Sequence, residues 1–399
     1  MTHCLMLLQT TFPPDIRVEN EIDTLAAAGY DVHLICKNSG TQPPTEPWHS
    51  ATIHRIPNVF GKSILGKIFQ APLFFNPIWL WQILKVTKKY RIKIIHVHDL
   101  PLTPMALGFK VIFGVSTIYD MHENYPAALK VWDKKGIEAI LKSHHMAKRL
   151  EYLIARKFDR FIAVIEENEQ RFIMEYGIRK DQIKVISNLV VLSKYQPNHA
   201  YADFKFPPNR RVLVYTGGLD IHRGLGLTLE MFEILIQTRK DVFLLVVGGG
   251  RSAAGQIEEK KLRNEIASNP QLRKSVHITG WVDFKYLPWI VQKCDVCLLP
   301  QESNPHTDTT IPHKIFQYMA MGKPVVAADA IPVKRIILET QAGLVFPSGN
   351  SNVYAEAVNR ILNDPDSISY GERGRVAVQE KYNWGIAAKK LLELYTGLG

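Results

Sequence analysis

Short apolar runs alternate along the whole chain with segments of helical period, and this alternation restricts the fold more than any single motif. HCLMLLQ, YDVHLIC, KIIHVHD, STIYDMH, RFIAVI and IKVIS are separated by stretches such as RVENEIDTLAAAG, in which apolar residues recur at helical spacing. Apolar runs joined through helical segments predict a parallel sheet with crossover helices. A second series follows the Pro- and Asn-containing stretch from Tyr195 to Arg210: RVLVYTG, VFLLVVGG, SVHITG, DVCLLP, KPVVAAD and AGLVF. The expected architecture is therefore α/β, with two doubly wound domains joined near residue 200. A chain of 399 residues that is 46% hydrophobic has enough apolar material for two cores.

A formal net charge of +11 favours anionic partners, among them nucleotides, phospholipid surfaces and nucleic acid. The basic residues are spread through both halves and no nucleic-acid-reading motif occurs, which argues against nucleic acid. Cys4, Cys36, Cys294 and Cys297 are too few and too scattered for a disulfide framework, and the chain opens MTHCLMLLQTTFPPD, without a charged leader and cleavable apolar core. The expected compartment is the reducing cytoplasm. Cys294 and Cys297 form a CxxC, but inside the apolar run KCDVCLLP and with no second Cys/His pair spaced for zinc, so they are expected to pack. A nicotinamide dehydrogenase would carry GxGxxG after the first strand, where this chain has LLQTTFPPD.

In open parallel sheets ligands bind beyond the carboxyl ends of the strands. After RVLVY comes TGGLDIHRG, where Gly217 and Gly218 permit close backbone approach and Arg223 adds a cation just before a helix. GGGR, from Gly248 to Arg251, is a second such loop or an ordinary tight turn. In TDTTIPHKIFQYMAMGKPVVAAD, Pro312 suits a first helical turn, Thr309 or Thr310 is placed to cap it, and Gly322 with Lys323 and Pro324 ends it. A helix over about 311–321 puts Ile315, Phe316, Met319 and Ala320 on one face and Thr310, His313, Lys314 and Gln317 on the other. The polar face suits a diphosphate with a sugar or ribose beside it, or it is simply solvated.

GGLDIHRGL, FLLVVGGG, VHITGWVDFKYLP, DVCLLPQ and TIPHKIFQYMAMGKPVVAAD, in that order and spacing, closely resemble the carboxyl-terminal domain of glycosyltransferase family 4. FPPDIRVENEIDTLAAAGYDVHLI, IIHVHD, YDMHENYP and FIAVIEENEQRFIMEYGIRKDQIKVISN resemble its first half, and YNWGIAAKKLLELY is similar to its closing helix. The resemblance implies a GT-B fold, two Rossmann-like domains facing a cleft, with 1–198 on the acceptor side, 199–378 binding a nucleotide sugar and 379–399 packing back toward the first. It also implies retaining transfer from a nucleotide diphosphate sugar, in cell-surface polysaccharide biosynthesis, with no metal or other cofactor. The acceptor would be a glycan or lipid-linked glycan.

Carried over position by position, the resemblance is uneven. The family's Glu-x7-Glu falls on Thr309 and Gln317, so both carboxylates are missing, and Gly218 replaces its usual arginine, while Arg223 occupies the place of a phosphate-binding lysine. Gln317 retains an acceptor for a ribose diol but loses charge-assisted bonds about twice as strong as neutral ones. Asp308 or Glu302 could approach the sugar in place of Thr309. The catalytic candidates are His122, Arg223 and Lys314; the donor-binding candidates are Gly217, Gly218, Gly249, Asp308, Thr309, Thr310 and Gln317. His122 matches the family histidine that contacts the donor sugar; a structural imidazole is the competing role. On the acceptor side stand Arg17, His98, Asp99 and Glu123, with a salt bridge at the helix start as the alternative for Arg17. Loss of both carboxylates keeps open an inactive relative that binds a nucleotide sugar or a protein partner. The basic and aromatic stretch from Phe60 to Tyr90, with VWDKKGIEAILKSHHMAKR, reads as a segment docking on anionic lipid or as packing of Phe74, Phe75, Trp79 and Trp81. Pro72, Asn76 and Pro77 argue against a spanning helix there.

Overall fold

The computed structural model describes residues 1–40, 42–57, 76–131, 143–220, 223–250 and 252–398. The chain divides into two compact units, Met1–Ser187 with Ala387–Gly399, and Asn188–Ile386. Residues 188–198, which the sequence assigned to the first domain, thus belong to the second unit, and the closing segment rejoins the first at Ala387.

The first unit holds an 8-stranded sheet built from β1 (Thr2–Thr11), β2 (Tyr30–Lys37), β3 (Thr45–Trp48), β4 (Ala51–Arg55), β5 (Ile94–His98), β6 (Ser116–Met121), β7 (Arg160–Ala163) and β8 (Ile183–Val185), in the order β3-β4-β2-β1-β5-β6-β7-β8. Neighbouring strands pair in parallel except β3 with β4. That edge hairpin was not legible in the sequence: TEPW is short, polar and carries Pro47, which a sheet tolerates at its edge. The middle strands β1 and β5 are covered on both sides, so they read as unbroken apolar runs rather than alternating ones. Helix Ile16–Ala27 starts where the Asp15 side chain accepts a bond from the Val18 amide. Helix Pro77–Tyr90 starts in the same way at Asn76, with Pro77 in its first turn. It buries Trp79 completely and leaves Trp81 about half exposed, so the two tryptophans read together in the sequence have opposite roles.

The second unit holds a 6-stranded parallel sheet of β9 (Arg211–Thr216), β10 (Val242–Val247), β11 (Val276–Ile278), β12 (Val296–Leu299), β13 (Val325–Ala328) and β14 (Gly343–Phe346), ordered β11-β10-β9-β12-β13-β14. The order reverses at β9, so β9, β10 and β12 diverge there and leave the crevice in which doubly wound sheets bind ligands. Cys294 and Cys297 are buried thiols, as their apolar run implied. Among the described residues no helix is long and apolar enough to cross a membrane.

Candidate functional site

At the carboxyl ends of β9 and β10 the glycine loops lock together. The Gly217 amide donates to Val247 O at 2.9 Å and the Tyr215 hydroxyl to Gly218 O at 2.7 Å. Gly248 has φ +143°, and a Cβ there would lie 1.8 Å from Gly217 O, so no side chain fits. At Gly249 a Cβ would come within 3.0 Å of the Trp281 indole nitrogen. Arg251, the end of the GGGR stretch, lies outside the described residues. What remains is an all-backbone floor beyond the strand ends.

Two cations stand over that floor. Lys314 Nζ lies 3.8 Å from the centre of the Tyr215 ring, 3.3 Å from where a Cβ on Gly217 would be. Burial, reinforced by the charge of Arg223, holds its ammonium well below the ordinary lysine range. Arg223 Nε is buried without a hydrogen-bond partner. Gly224 presses so closely on the strand-end loop that a Cβ there would be 2.2 Å from Pro300 O, which fixes the arginine beside β12. Neither cation has a carboxylate partner among the described residues. Two partly buried like charges side by side oppose one another and are relieved when an anion arrives.

Other donor-side candidates are placed differently from expectation. The helix begins at Lys314 and ends at Ala320, with Thr307–Thr309 a separate 3-10 turn, so neither Thr309 nor Thr310 caps it. Thr309 Oγ1 donates to Pro305 O (2.8 Å) and His306 O (3.1 Å), and Thr310 Oγ1 to His306 O (3.2 Å). Asp308 accepts from Ser303 Oγ and from the Ile331 amide at 3.0 Å, fixing the start of helix Ile331–Thr340. These three side chains are held by their own loop because short hydroxyls and carboxylates compete for nearby backbone groups. Gln317 is buried rather than on an open polar face, 3.5 Å from His313 Nδ1. Tyr318, which the sequence reading passed over, donates to or accepts from Thr216 at 3.1 Å and accepts its amide at 2.9 Å, tying the helix to β9.

In the first unit the candidates gather around a residue that was not singled out, Asp120. The Arg17 guanidinium bonds both its oxygens, Nη2 to Oδ1 at 2.8 Å and Nε to Oδ2 at 3.2 Å, and gives a third bond to Ile186 O at 2.8 Å. Arg17 Nε also lies 3.1 Å from Glu21, one helical turn on, near enough to pair but not aligned for a hydrogen bond. Arg17 is thereby consumed in a buried network. Burial raises the Asp120 carboxyl, yet Arg17 and His122 outweigh it and hold it well below the usual range. Burial and the Asp120 charge together push Glu21 well up.

His122 Nε2 lies 3.2 Å from Asp120 Oδ2 and 2.9 Å from His98 Nδ1. Burial opposes charge on His122, but the charge and hydrogen bond of Asp120, with the charge of Asp99, raise it to about 10. His98 is driven well below 6.5 by burial and by His96, so it is neutral, and its Nδ1 lies within hydrogen-bond reach of both His122 Nε2 (2.9 Å) and Asp120 Oδ2 (3.2 Å). Asp99, at φ +63°, accepts the His122 amide at 3.1 Å and Gln9 Nε2 at 3.3 Å, so it binds the loops after β1, β5 and β6 together. Glu123 is half-buried between His122 and helix Tyr125–Val131. His96 accepts or donates at Nδ1 with the Tyr395 hydroxyl, 2.7 Å away, on the closing helix Trp384–Tyr395. Charged residues inside apolar runs, Asp120 in STIYDMH and His96 in KIIHVHD, were the available signal.

Glu21, His96, His98 and Asp120, and separately His3, Asp31 and His33, have ligand atoms close enough together for a metal ion. In the first group Arg17 already supplies positive charge to both carboxylates; in the second Asp31 already accepts from both imidazoles, at 2.7 and 3.2 Å.

Two doubly wound sheets, parallel but for the β3–β4 hairpin, make the GT-B fold. Residues 16–194 match the family profile described as Glycosyltransferase Family 4, and residues 210–364 that described as Glycosyl transferases group 1. The chain thus carries a family 4 glycosyltransferase domain followed by a glycosyltransferase group 1 domain. A phosphatidyl-myo-inositol mannosyltransferase of Mycobacterium leprae is 26% identical over 192 residues, 48% of this chain and 47% of the relative. The chain thus spans about half the length of the curated relatives it matches. Sucrose-phosphate synthase of Thermosynechococcus elongatus has the same fold, with TM-score 0.80 and 20% identity over 99% of this chain and 98% of that one. So does an Anabaena protein solved with UDP and glucose, at TM-score 0.73 and 17% identity over 100% of both chains.

Proposed function

We propose that this protein transfers a sugar from a nucleoside diphosphate sugar to an acceptor hydroxyl with retention of anomeric configuration. The observation that carries this reading is the pair Arg223 and Lys314, partly buried beside Gly217 with no carboxylate partner among the described residues. Two adjacent phosphates would supply the missing counter-charge. The Anabaena neighbour, solved with UDP and glucose, supports a nucleotide-sugar donor.

In the proposed step the acceptor oxygen forms a bond to the anomeric carbon as the bond from that carbon to the phosphate oxygen breaks. The electron pair stays with the leaving diphosphate, whose oxygen takes the acceptor proton. Arg223 and Lys314 stabilise the charge that develops there, the kind of contribution that usually dominates such catalysis. No metal is assigned a part, because these two cations already supply it. His122, raised to about 10 by Asp120, would act as a hydrogen-bond donor rather than as a base. Gln317 is assigned the ribose, and the Thr309 side chain no role, since its loop occupies it.

The acceptor is proposed to be a glycan or lipid-linked glycan of cell-surface polysaccharide assembly, met at the inner face of the cell membrane by a cytoplasmic protein. The lipid named in the mannosyltransferase relative supports this. The absence of carboxylates at Thr309 and Gln317 favours one competing reading, a relative that binds the nucleotide sugar without turnover. Calorimetry against UDP-, GDP-, ADP-, CMP- and dTDP-sugars, followed by a turnover assay, separates the two. Binding of one donor with turnover is expected; binding without turnover selects the competitor, and binding of none overturns the donor site.

A further inference from the structure

Segments 60–75 and 132–142, which the sequence singled out for lipid docking, lie outside the described residues. A cluster that it passed over is fully described, at the amino ends of β1 and β2. Parallel register sets His3 beside Asp31 and Ile35 beside His54, and Asp31, His33 and Ile35 alternate onto one side of β2. His3, Asp31, His33 and His54 therefore share one face of the first sheet. Further along that face Leu5, Leu7 and Ile35 enter the main apolar cluster. Three imidazoles and a carboxylate at the border of a core carry a desolvation cost that apolar side chains would not.

Asp31 Oδ2 stands between two rings, 2.7 Å from His3 Nδ1 and 3.2 Å from His33 Nε2. The ligand atoms around a tetrahedral zinc ion are about 3.3 Å apart, so the second spacing already fits and the first has to open by about half an ångström. The side chains of His3 and Asp31 are 34% and 31% exposed, which permits that movement and leaves room for water on an ion. Among the described residues no lysine or arginine pairs with Asp31. This distinguishes the cluster from the group around Asp120, where the Arg17 guanidinium already occupies the carboxylate.

The outer contacts are those of a ligand held in place. His33 is buried, with the Tyr90 ring centred 4.0 Å from its own. Its second nitrogen, Nδ1, lies 3.2 Å from His54 Nε2, and His54 Nδ1 approaches Thr45 Oγ1 on β3 at 3.5 Å. With an ion on His33 Nε2, Nδ1–H donates to His54 Nε2 and His54 Nδ1–H points to Thr45. Such a partner fixes the tautomer and direction of a metal-binding imidazole. Burial lowers His33 and takes His54 down to about 4, so neither ring holds a competing proton near neutrality. Lys89, and at His54 also Lys85, adds like charge, which favours neutral rings and tempers the attraction for a cation.

We propose that His3 Nδ1, Asp31 Oδ2 and His33 Nε2 bind one divalent zinc-like ion, with water completing its shell and His54 supporting His33 from behind. Two imidazoles and a carboxylate are donors that suit zinc. The ion takes no part in sugar transfer, because the candidate site lies at the opposite, carboxyl ends of the strands. It ties β1 to β2.

The test uses the full chain, free of any polyhistidine tag and stripped with chelator, titrated with zinc by calorimetry and with cobalt by visible absorption. About one ion per chain is expected, with the intense visible bands of four-coordinate cobalt. His3→Gln and Asp31→Asn should each weaken zinc binding by at least about tenfold, and His54→Gln by about tenfold through His33. Both first positions are partly exposed, so metal-free melts of those two variants should match the parent, and loss of binding in a folded variant supports the site. Failure of zinc and cobalt to bind the parent, or binding unchanged in His3→Gln and Asp31→Asn, overturns the proposal.

Discussion

Lys314 carries its ammonium 3.8 Å above the ring of Tyr215, and its electrostatic surroundings hold another cation, Arg223, and, among the described residues, no carboxylate. A partly buried charge beside a like charge weakens the unliganded fold, and an anion offsets it. Lys314→Met keeps the length and apolar stem and removes the charge. The variant should be more stable than the parent without ligand by about 1–2 kcal/mol in urea unfolding, and should bind the donor about 10- to 100-fold more weakly by calorimetry, the usual worth of a hydrogen bond to a charged group. Unchanged donor affinity would remove Lys314 from the site.

Gln317 is the residue proposed for the ribose, and it is neutral where a carboxylate would give stronger bonds. Charge-assisted bonds are about twice as strong as neutral ones, so Gln317→Glu should tighten nucleotide binding by about three- to tenfold, and Gln317→Ala should loosen it by a similar factor. Titration calorimetry with the nucleoside diphosphate reads both. If both changes leave affinity alone, the ribose lies elsewhere.

Asp120 is the single acceptor for two Arg17 bonds and the counter-charge of His122. Asp120→Asn deletes the charge and leaves Arg17 buried beside Glu21 alone. A loss of about 3–5 kcal/mol in unfolding free energy is expected, as for other broken buried ion pairs. A loss below about 1 kcal/mol, the range of exposed pairs, would mean that the network is solvated in solution.

The pH dependence follows from the same cluster. His122 is raised from 6.5 to about 10, so its contribution to stability is complete below pH 6.5 and is lost as pH rises through about 10. Asp120 is held below 3.8, so its share is present above that pH and disappears as pH falls further. The gap in melting temperature between the parent and His122→Gln should therefore shrink between pH 6.5 and 10. Nitrogen-15 NMR should find the His122 ring still protonated at pH 8; titration near 6.5 would contradict the ion pair.

The chain order alone determined the architecture. Each of the twelve apolar runs quoted from the sequence became a strand of the two sheets, because a strand buried on both faces must be apolar along its length and that demand is written locally. The glycines after β9 and β10, Arg223 and Lys314 were legible for the same reason: a strand-end glycine or cation needs few neighbours to be recognised. The edge strand β3 escaped because an edge must be polar and short, which resembles a loop, and its buried neighbour β4 is only five residues long and mixes apolar with basic ones.

Only the tertiary structure decided which polar side chains remain available. Thr309, Thr310 and Asp308 looked suited to a sugar, but their own loop and the start of the next helix absorb them. Arg17 and Asp120, 103 residues apart, neutralise one another, whereas Arg223 and Lys314 find no acid among the described residues. Spacing along a chain reports periodicity; whether a charge is paired depends on what folds against it from a distant segment, and that separates a binding cation from a structural one.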